Sequence, residues 1–402
     1  MQKNNKQSAH ACVIAYTFFE IDFRVSRYVD VLVEEGYLVD VFALRRKGQP
    51  REENVRGARI HHLQEREYNE RGLLSFLVKM LSFWLNTFIA ILAKQRKYRY
   101  DIVHVHNPPD FLVYAAIVPK MLGGKIIFDM HENLPEFYCT KFKEKSDALL
   151  VKILLMFERM AVRFSDYTIV AHDLLRERVM KRDGVHESKC IALLNYPSKA
   201  NFIHSSNGSG ETEFRIIYPG TISQLHGVDI AIRAMAIIKK NECKDVKFDI
   251  YGRSKNSSDF NGISKLIEDL DLKDTVRLHT VVPYEEICAI MAKASIGVVP
   301  KRGGIFGSEA FSTKVLEFMA AGLPVVMSRT KIDEYYFDDS TVMFFEPEDE
   351  HGLARCIMEL YGSPDKRKLL VEKGKEFVEN NNWEAKSSIY RTIVKELVEG
   401  RQ

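Results

Sequence analysis

Glu309-Ala310-Phe311-Ser312-Thr313-Lys314-Val315-Leu316-Glu317, continued by Phe318-Met319-Ala320-Ala321-Gly322-Leu323-Pro324-Val325-Val326, is the run from which the rest of the chain is best read. Its apolar spacing predicts a helix from about Phe311, and Gly322-Leu323-Pro324 stops that helix and opens a strand. The free amides and positive dipole end at such a helix start suit an anionic group. Glu317 falls on the same side as Lys314, where a carboxylate can accept both hydroxyls of a ribose. A lone pair of glutamates is more often two solvated charges on an amphipathic helix; here the whole run carries the argument.

Working outward, short apolar runs suited to strands buried on both faces precede and follow this helix, at Arg215–Tyr218, Lys247–Tyr251, Val276–His279, Ile296–Val299 and Pro324–Met327. The same alternation fills the first half, at Ala11–Tyr16, Val39–Ala43, Ile102–Val105, Lys125–Phe128 and Tyr167–Ala171. Helical patterns lie between them, including Arg24–Glu35 before Gly36, Phe111–Leu122 before Gly123-Gly124, and Leu149–Phe164. Strand and helix in alternation predict an α/β fold with parallel sheets covered on both faces. The rhythm pauses at Ser205-Ser206-Asn207-Gly208-Ser209-Gly210, a linker composition. The reading is an N-terminal Rossmann-like domain over 1–198, a linker over 199–212, a second such domain over 213–382, and a final helix over 383–402 with no strand to return to. In doubly wound sheets ligands bind outside the carboxyl ends of the strands, so the loops there are the places to look for chemistry.

The 402 residues suffice for two cores, and 46% hydrophobic with 28% charged residues is globular composition. A net charge of +3 gives no case for nucleic acid as a partner. The six cysteines are scattered without metal-ligand spacing and read as core residues of a reducing compartment. The polar start of the chain runs straight into a strand, which reads as a cytoplasmic protein without a secretory signal. Leu73–Ala93 holds 16 apolar residues in 21, interrupted by Lys79 and Asn86. That segment is read first as a buried crossover helix, and second as a helix lying on a membrane with Lys94, Arg96, Lys97 and Arg99 on anionic headgroups. A spanning helix is disfavoured by the charge at its middle. No phosphate loop of the G-x-x-x-x-G-K-[ST] type and no G-x-G-x-x-G is present, which argues against kinases, ATPases and dehydrogenases. No convincing Asp-x-Asp loop is present either, so no metal is implied.

The run at Glu309 resembles the E-x7-E region of the family 4 retaining glycosyltransferases, whose GT-B fold is two facing Rossmann-like domains. Further stretches agree in order: Val103-His104-Val105-His106-Asn107-Pro108-Pro109-Asp110, Phe128-Asp129-Met130-His131-Glu132-Asn133, Asp22-Phe23-Arg24-Val25, and Tyr218-Pro219-Gly220-Thr221-Ile222-Ser223-Gln224-Leu225-His226-Gly227. The resemblance covers nearly the whole chain and implies that the final helix crosses back to the N-terminal domain. It implies a donor-sugar contact at Glu309, a ribose contact at Glu317 and a catalytic histidine at His131, while His104 and His106 are read as structural. Donor contacts are also expected at Gly220, Ser223, His226, Arg253, Lys301, Arg302, Ala310, Phe311, Ser312 and Lys314, and acceptor contacts at Arg24, Asn107, Asp110 and Glu132. Thr221 and His226 stand where many members carry an arginine and a lysine on the diphosphate, a departure that leaves Arg253, Lys301, Arg302 and Lys314 as the candidate cations.

The implied reaction is transfer, with retained configuration and without a metal or other cofactor, from a UDP- or GDP-sugar. The implied acceptor is a saccharide or a polyprenyl-linked saccharide, in bacterial surface polysaccharide assembly. The protein would be cytoplasmic and peripheral on the inner face of the membrane. Competing expectations are a nucleotide-sugar-binding scaffold subunit without turnover and a nucleotide-sugar 2-epimerase.

Overall fold

The computed structural model describes residues 9–66, 73–131, 149–202, 213–241, 243, 245–253 and 257–400. The chain divides into two compact units, one of Met1–Asn195 with Ser387–Gln402 and one of Tyr196–Lys386.

The first unit is built on eight strands: β1 (His10–Ala15), β2 (Leu38–Arg45), β3 (Glu52–Val55), β4 (Ala58–Glu65), β5 (Ile102–His106), β6 (Lys125–Met130), β7 (Tyr167–Val170) and β8 (Cys190–Ala192). They lie in the order β3-β4-β2-β1-β5-β6-β7-β8. All neighbours are parallel except the β3–β4 hairpin. That hairpin was not anticipated, because its half-exposed, charge-rich strands lack the apolar run of a doubly buried strand. The second unit carries β9 (Phe214–Pro219), β10 (Val246–Tyr251), β11 (Val276–His279), β12 (Ile296–Val299), β13 (Val325–Ser328) and β14 (Met343–Phe345). All are parallel, in the order β11-β10-β9-β12-β13-β14. The expected α/β architecture with parallel Rossmann-like sheets is what the chain adopts.

Each sheet reverses its strand order once near its middle, between β1 and β5 in the first and between β9 and β12 in the second. The crevice outside the carboxyl ends at such a switch point is where this architecture receives ligands. The sequence places Asn107 just after β5, the Gly220 loop after β9 and Lys301 just after β12.

The helix expected from Phe311 begins later. A short helix occupies Gly304–Glu309, Ser312 is extended at φ −94 and ψ 105, and the main helix runs Thr313–Ala321. It packs hard on the sheet: a Cβ at Gly297 of β12 would lie 2.5 Å from the Phe318 ring, so glycine there lets the helix approach.

The apolar segment forms one helix, Leu73–Gln95. Met80, Phe83, Thr87 and Ile91 are buried, with the 3-4-4 spacing of a single stripe. The reading of this helix as a buried crossover is therefore half right: one stripe is core, and only 22% of its apolar window is buried. Phe88 and Trp84 pack partly against the same cluster. Pulling Phe83 and Ile91 out of that core would cost about 1.5–3 kcal/mol each, which argues against the helix leaving the domain to cross a bilayer.

Candidate functional site

In the second unit the carboxyl ends of β9 and β10 open into a cavity of about 330 Å³. Its walls include Gly220 and Thr221 after β9, Gly252 and Arg253 after β10, and Tyr284 on the helix Tyr284–Met291. Thr313, Lys314 and Glu317 close it from the helix Thr313–Ala321. The floor depends on glycine, since a Cβ on Gly252 would come within 1.9 Å of the Gly220 carbonyl oxygen. Lys314 lies directly over Gly220, a Cβ on which would meet its Cε at 2.3 Å. The Lys314 ammonium sits 5.6 Å from the centre of the Tyr218 ring and makes no hydrogen bond among the described residues. Burial pushes its pKa below the ordinary lysine value, and Glu317 opposes that shift. Glu317 is held at one oxygen by the Tyr284 hydroxyl, which donates across 3.2 Å. No side chain caps the helix at Ser312, and of its first amides that of Val315 bonds to the Ser312 carbonyl at 3.2 Å. A half-buried cation, a helix start and a fixed carboxylate in one cavity can receive an anionic ligand that also carries hydroxyls.

Other expected cations stand differently. Lys301 is buried, pairs with Asp333 at 2.8 Å and donates to the Ala310 carbonyl at 2.8 Å. It holds the loop between the two short helices instead of presenting charge to a phosphate. Arg302 is engaged by Asp229 and the Gln224 carbonyl. Arg253 remains at the cavity wall. Ser223 and His226 bond to each other at 2.7 Å and are not part of the wall. Phe311 turns its ring to Tyr336 at 5.1 Å and Phe337 at 6.1 Å, leaving its backbone, with that of Ala310, as what it can offer a donor. Glu309 ends its helix outside the cavity wall. Sequence reasoning missed Tyr284, Tyr251 and Ile287, which line the cavity together with Val281 and Val282. Tyr251 stacks on His279 with centroids 4.2 Å apart, and no spacing in the sequence announces that pair.

In the first unit, register places Asp129 of β6 beside His106 of β5, and His104 shares the His106 face two residues earlier. His131 Nδ1 lies 3.1 Å from Asp129 Oδ1, and His131 Nε2 lies 2.8 Å from His106 Nδ1. His106 Nδ1 is also 3.2 Å from Asp129 Oδ2, and His104 Nε2 faces that oxygen at 3.6 Å. His104 Nδ1 contacts the Tyr390 hydroxyl at 2.9 Å. One distribution of protons suits this geometry. His131 Nδ1–H donates to Asp129, His106 Nδ1–H donates to His131 Nε2, and the Tyr390 hydroxyl donates to His104 Nδ1. Burial holds His131 well below the ordinary imidazole value and pushes His104 down to about 4, helped by His106. Burial alone would raise the Asp129 carboxyl, yet His131, His104 and His106 around it hold it well below the usual range. Burial thus favours neutral His131 and His104 around an ionised Asp129. The ligand-type atoms of His104, His106 and Asp129 lie within 4.8 Å of one another, and all three residues are buried. Sequence reasoning singled out His131 but assigned no chemistry to His106, which it touches, or to His104, stacked on His106. The His131 side chain is only 3% exposed, with both ring nitrogens engaged.

Asn107 and Asp110 are 3% exposed and point inward. Asn107 Nδ2 donates to Asp110 at 3.0 Å, and Asn107 Oδ1 accepts from the His131 amide at 2.7 Å. Burial pushes the Asp110 carboxyl up to about 6, against the Asn107 hydrogen bond. Asn107 thus braces the His131 backbone, and Asp110 holds Asn107. Arg24 lies in the first turn of the helix Phe23–Glu34, 3.8 Å from Asp22, and its charge acts on His131. Glu132 lies outside the described residues, as does 203–212 of the expected linker.

Residues 24–195 match the family described as Glycosyltransferase Family 4, and residues 199–377 match Glycosyl transferases group 1. An uncharacterized glycosyltransferase of Methanocaldococcus jannaschii is 27% identical over 304 residues, which is 74% of this chain and 76% of that protein. The sucrose-phosphate synthase of Thermosynechococcus elongatus superposes with a TM-score of 0.74 at 18% identity, over 96% of this chain and 99% of that one. HepE of Anabaena, solved in complex with UDP-glucose, gives 0.69 at 12% identity, over 95% and 99%. These structural likenesses establish the fold.

Proposed function

The chain belongs to the family 4 glycosyltransferases of the GT-B fold, and on that premise we propose that its second unit binds a nucleoside-diphosphate sugar, UDP- or GDP-linked, in the cavity below Lys314. The observation that carries this reading is the meeting of Gly220, Lys314 and Glu317 in one cavity at the carboxyl ends of β9 and β10. The diphosphate lies on the Gly220 loop and the amides opening the helix Thr313–Ala321, with Lys314 as its cation. Glu317, oriented by Tyr284, takes the ribose hydroxyls. Glu309 orients the donor sugar from the preceding helix end.

Transfer proceeds with retention and needs no metal. The bond from the anomeric carbon to the diphosphate oxygen breaks as the acceptor hydroxyl attacks the same face, and the leaving phosphate oxygen takes the acceptor's proton. The protein's part is positioning and charge stabilisation. His131 is the proposed catalytic residue of the first unit, with Asp129, His106 and Asn107 fixing where it stands. The acceptor is a saccharide or lipid-linked saccharide, and the setting is cytoplasmic assembly of a surface polysaccharide. A nucleotide-sugar-binding subunit without turnover is the second reading, favoured by the engagement of Lys301 and Arg302 with Asp333 and Asp229.

The test is a thermal-shift screen with UDP, GDP and ADP, followed by transfer of labelled sugar to a lipid extract by wild type and by Glu309→Ala. Nucleotide binding by both with transfer lost only in Glu309→Ala supports the proposal. Full transfer by Glu309→Ala removes the donor-sugar assignment, and tight binding with no turnover on any acceptor favours the second reading.

A further inference from the structure

We propose that one face of the first unit docks on an anionic lipid surface, with the helix Leu73–Gln95 lying in the plane of the headgroups. That helix turns Leu77, Val78, Leu81, Leu85, Ile89 and Leu92 away from the core, each between 38% and 64% exposed. The turn Asp110–Ala116 packs against it on one side and against the helix Leu149–Phe164 on the other, through Phe111 on Phe157 and Tyr114 on Phe164. The second helix adds exposed Ile153, Met156 and Met160, and the segment after the turn adds Ile117 and Met121. Scattered apolar residues are normal on a soluble surface, whereas flanking helices that expose this many mark a contact face.

Charge selects the occupant. Residues 73–99 contain Lys79, Lys94, Arg96, Lys97 and Arg99 and no acid. The helix Leu149–Phe164 exposes Lys152, Arg159 and Arg163, and its one acid, Glu158, is buried against Arg182. A second copy of the chain would bring like charges together on this face. On these two helices, apolar side chains bordered by bases, with the one acid buried, match acyl chains beneath anionic headgroups. The orientation follows from the anchors. Gln64 donates to the Lys79 carbonyl near one end of the helix, and Ile91 is buried near the other, beside Lys94 at 3.5 Å from Asp40. Held along its length, the helix wets only its outer face with lipid, although its apolar window of mean hydropathy 1.8 is long enough to cross a membrane. Docking itself is independent of catalysis; taken with the transferase reading, on which this step rests, it narrows the acceptor to a saccharide carried on a lipid.

Sedimentation of the full chain with vesicles tests the docking without any turnover. Phosphatidylglycerol-containing vesicles should carry the protein down, and phosphatidylcholine vesicles much less. Replacing Arg96, Lys97 and Arg99 by Ser should weaken partition about fivefold per charge. Leu81→Asp with Leu85→Asp should abolish it at every salt concentration while the circular dichroism stays that of wild type. If that double variant loses its fold, Leu81→Ser with Leu85→Ser takes its place with the same expected loss. Absence from every pellet at low salt, undiminished sedimentation of the folded leucine variant, or a wild-type dimer that this variant dissociates would overturn the proposal. None of these results depends on whether the donor cavity works.

Discussion

Replacing Lys314 by Met keeps the aliphatic stem and removes the ammonium, and the structure gives opposite signs for its effects on stability and on binding. In the folded chain the ammonium has the Tyr218 ring at 5.6 Å but no hydrogen bond among the described residues, and burial lowers its pKa. A lysine whose folded pKa lies below its unfolded value is a net cost to folding at neutral pH. That cost is full below the folded pKa and is relieved as pH rises from there toward the unfolded value. Each unit of lowering is about 1.36 kcal/mol, against about 0.5–2 kcal/mol returned by the ring contact. Lys314→Met should therefore melt no lower than wild type. Donor binding should move the other way, because one charge-assisted hydrogen bond to a diphosphate is worth about 1.5–3 kcal/mol, or roughly 10–150-fold in Kd. Differential scanning calorimetry of the free protein and isothermal titration with UDP and GDP measure the two quantities. A variant that melts several degrees lower and binds the nucleotide as tightly as wild type would show Lys314 to be a packing residue and refute the diphosphate assignment.

Gly252→Ala should cost about 1–3 kcal/mol of stability and weaken nucleotide binding, because its Cβ would press on the Gly220 carbonyl within the cavity floor; titration and urea unfolding on one preparation read both. Asp129→Asn removes the carboxylate that orients His131 Nδ1–H, so kcat should fall about 10²-fold with donor KM unchanged, and a shift confined to KM would contradict that role. Asp40 is 1% exposed and accepts from His61, Arg59, Tyr98 and Tyr100, contacts that hold its carboxyl well below the usual range against burial. Its contribution is present above the unfolded value of about 3.9 and is lost as pH falls through the folded one. Asp40→Asn should cost about 3–5 kcal/mol at pH 7, and the gap to wild type should close in acid, as urea unfolding at a series of pH values would show.

The fold was legible because parallel strands buried on both faces write themselves as apolar runs, as in Ala11–Tyr16 and Ile296–Val299. The β3–β4 hairpin was not, since a half-exposed edge needs no such run. The delayed helix start at Thr313 was also hidden: the hydrogen bond from buried Lys301 to Ala310 belongs to a loop that sequence spacing does not describe. The same holds for the two neighbours of His131. That His104 and His106 share a face was readable, but their closure on Asp129 requires the β5–β6 register, which only the sheet supplies. Lys314 and Glu317 were found because the run resembles the E-x7-E region, and a spacing of three on a helix puts the two on one side. Tyr284 and Tyr251 reach the same cavity from separate elements, and no local pattern joins them.

The Tyr390 hydroxyl bonds to His104, and the Tyr390 ring packs edge-on against Tyr28 at 4.6 Å. The segment from Ser387 onward is thus part of the first unit's interior, although the ribosome delivers it after all of Tyr196–Lys386. Vectorial synthesis can let the second unit close early, while the first must wait with its histidine cluster unsealed until Tyr390 has been made. A chaperone would find its client in that first lobe, and excising residues 1–195 as a stand-alone fragment would reproduce the nascent intermediate instead of the finished domain.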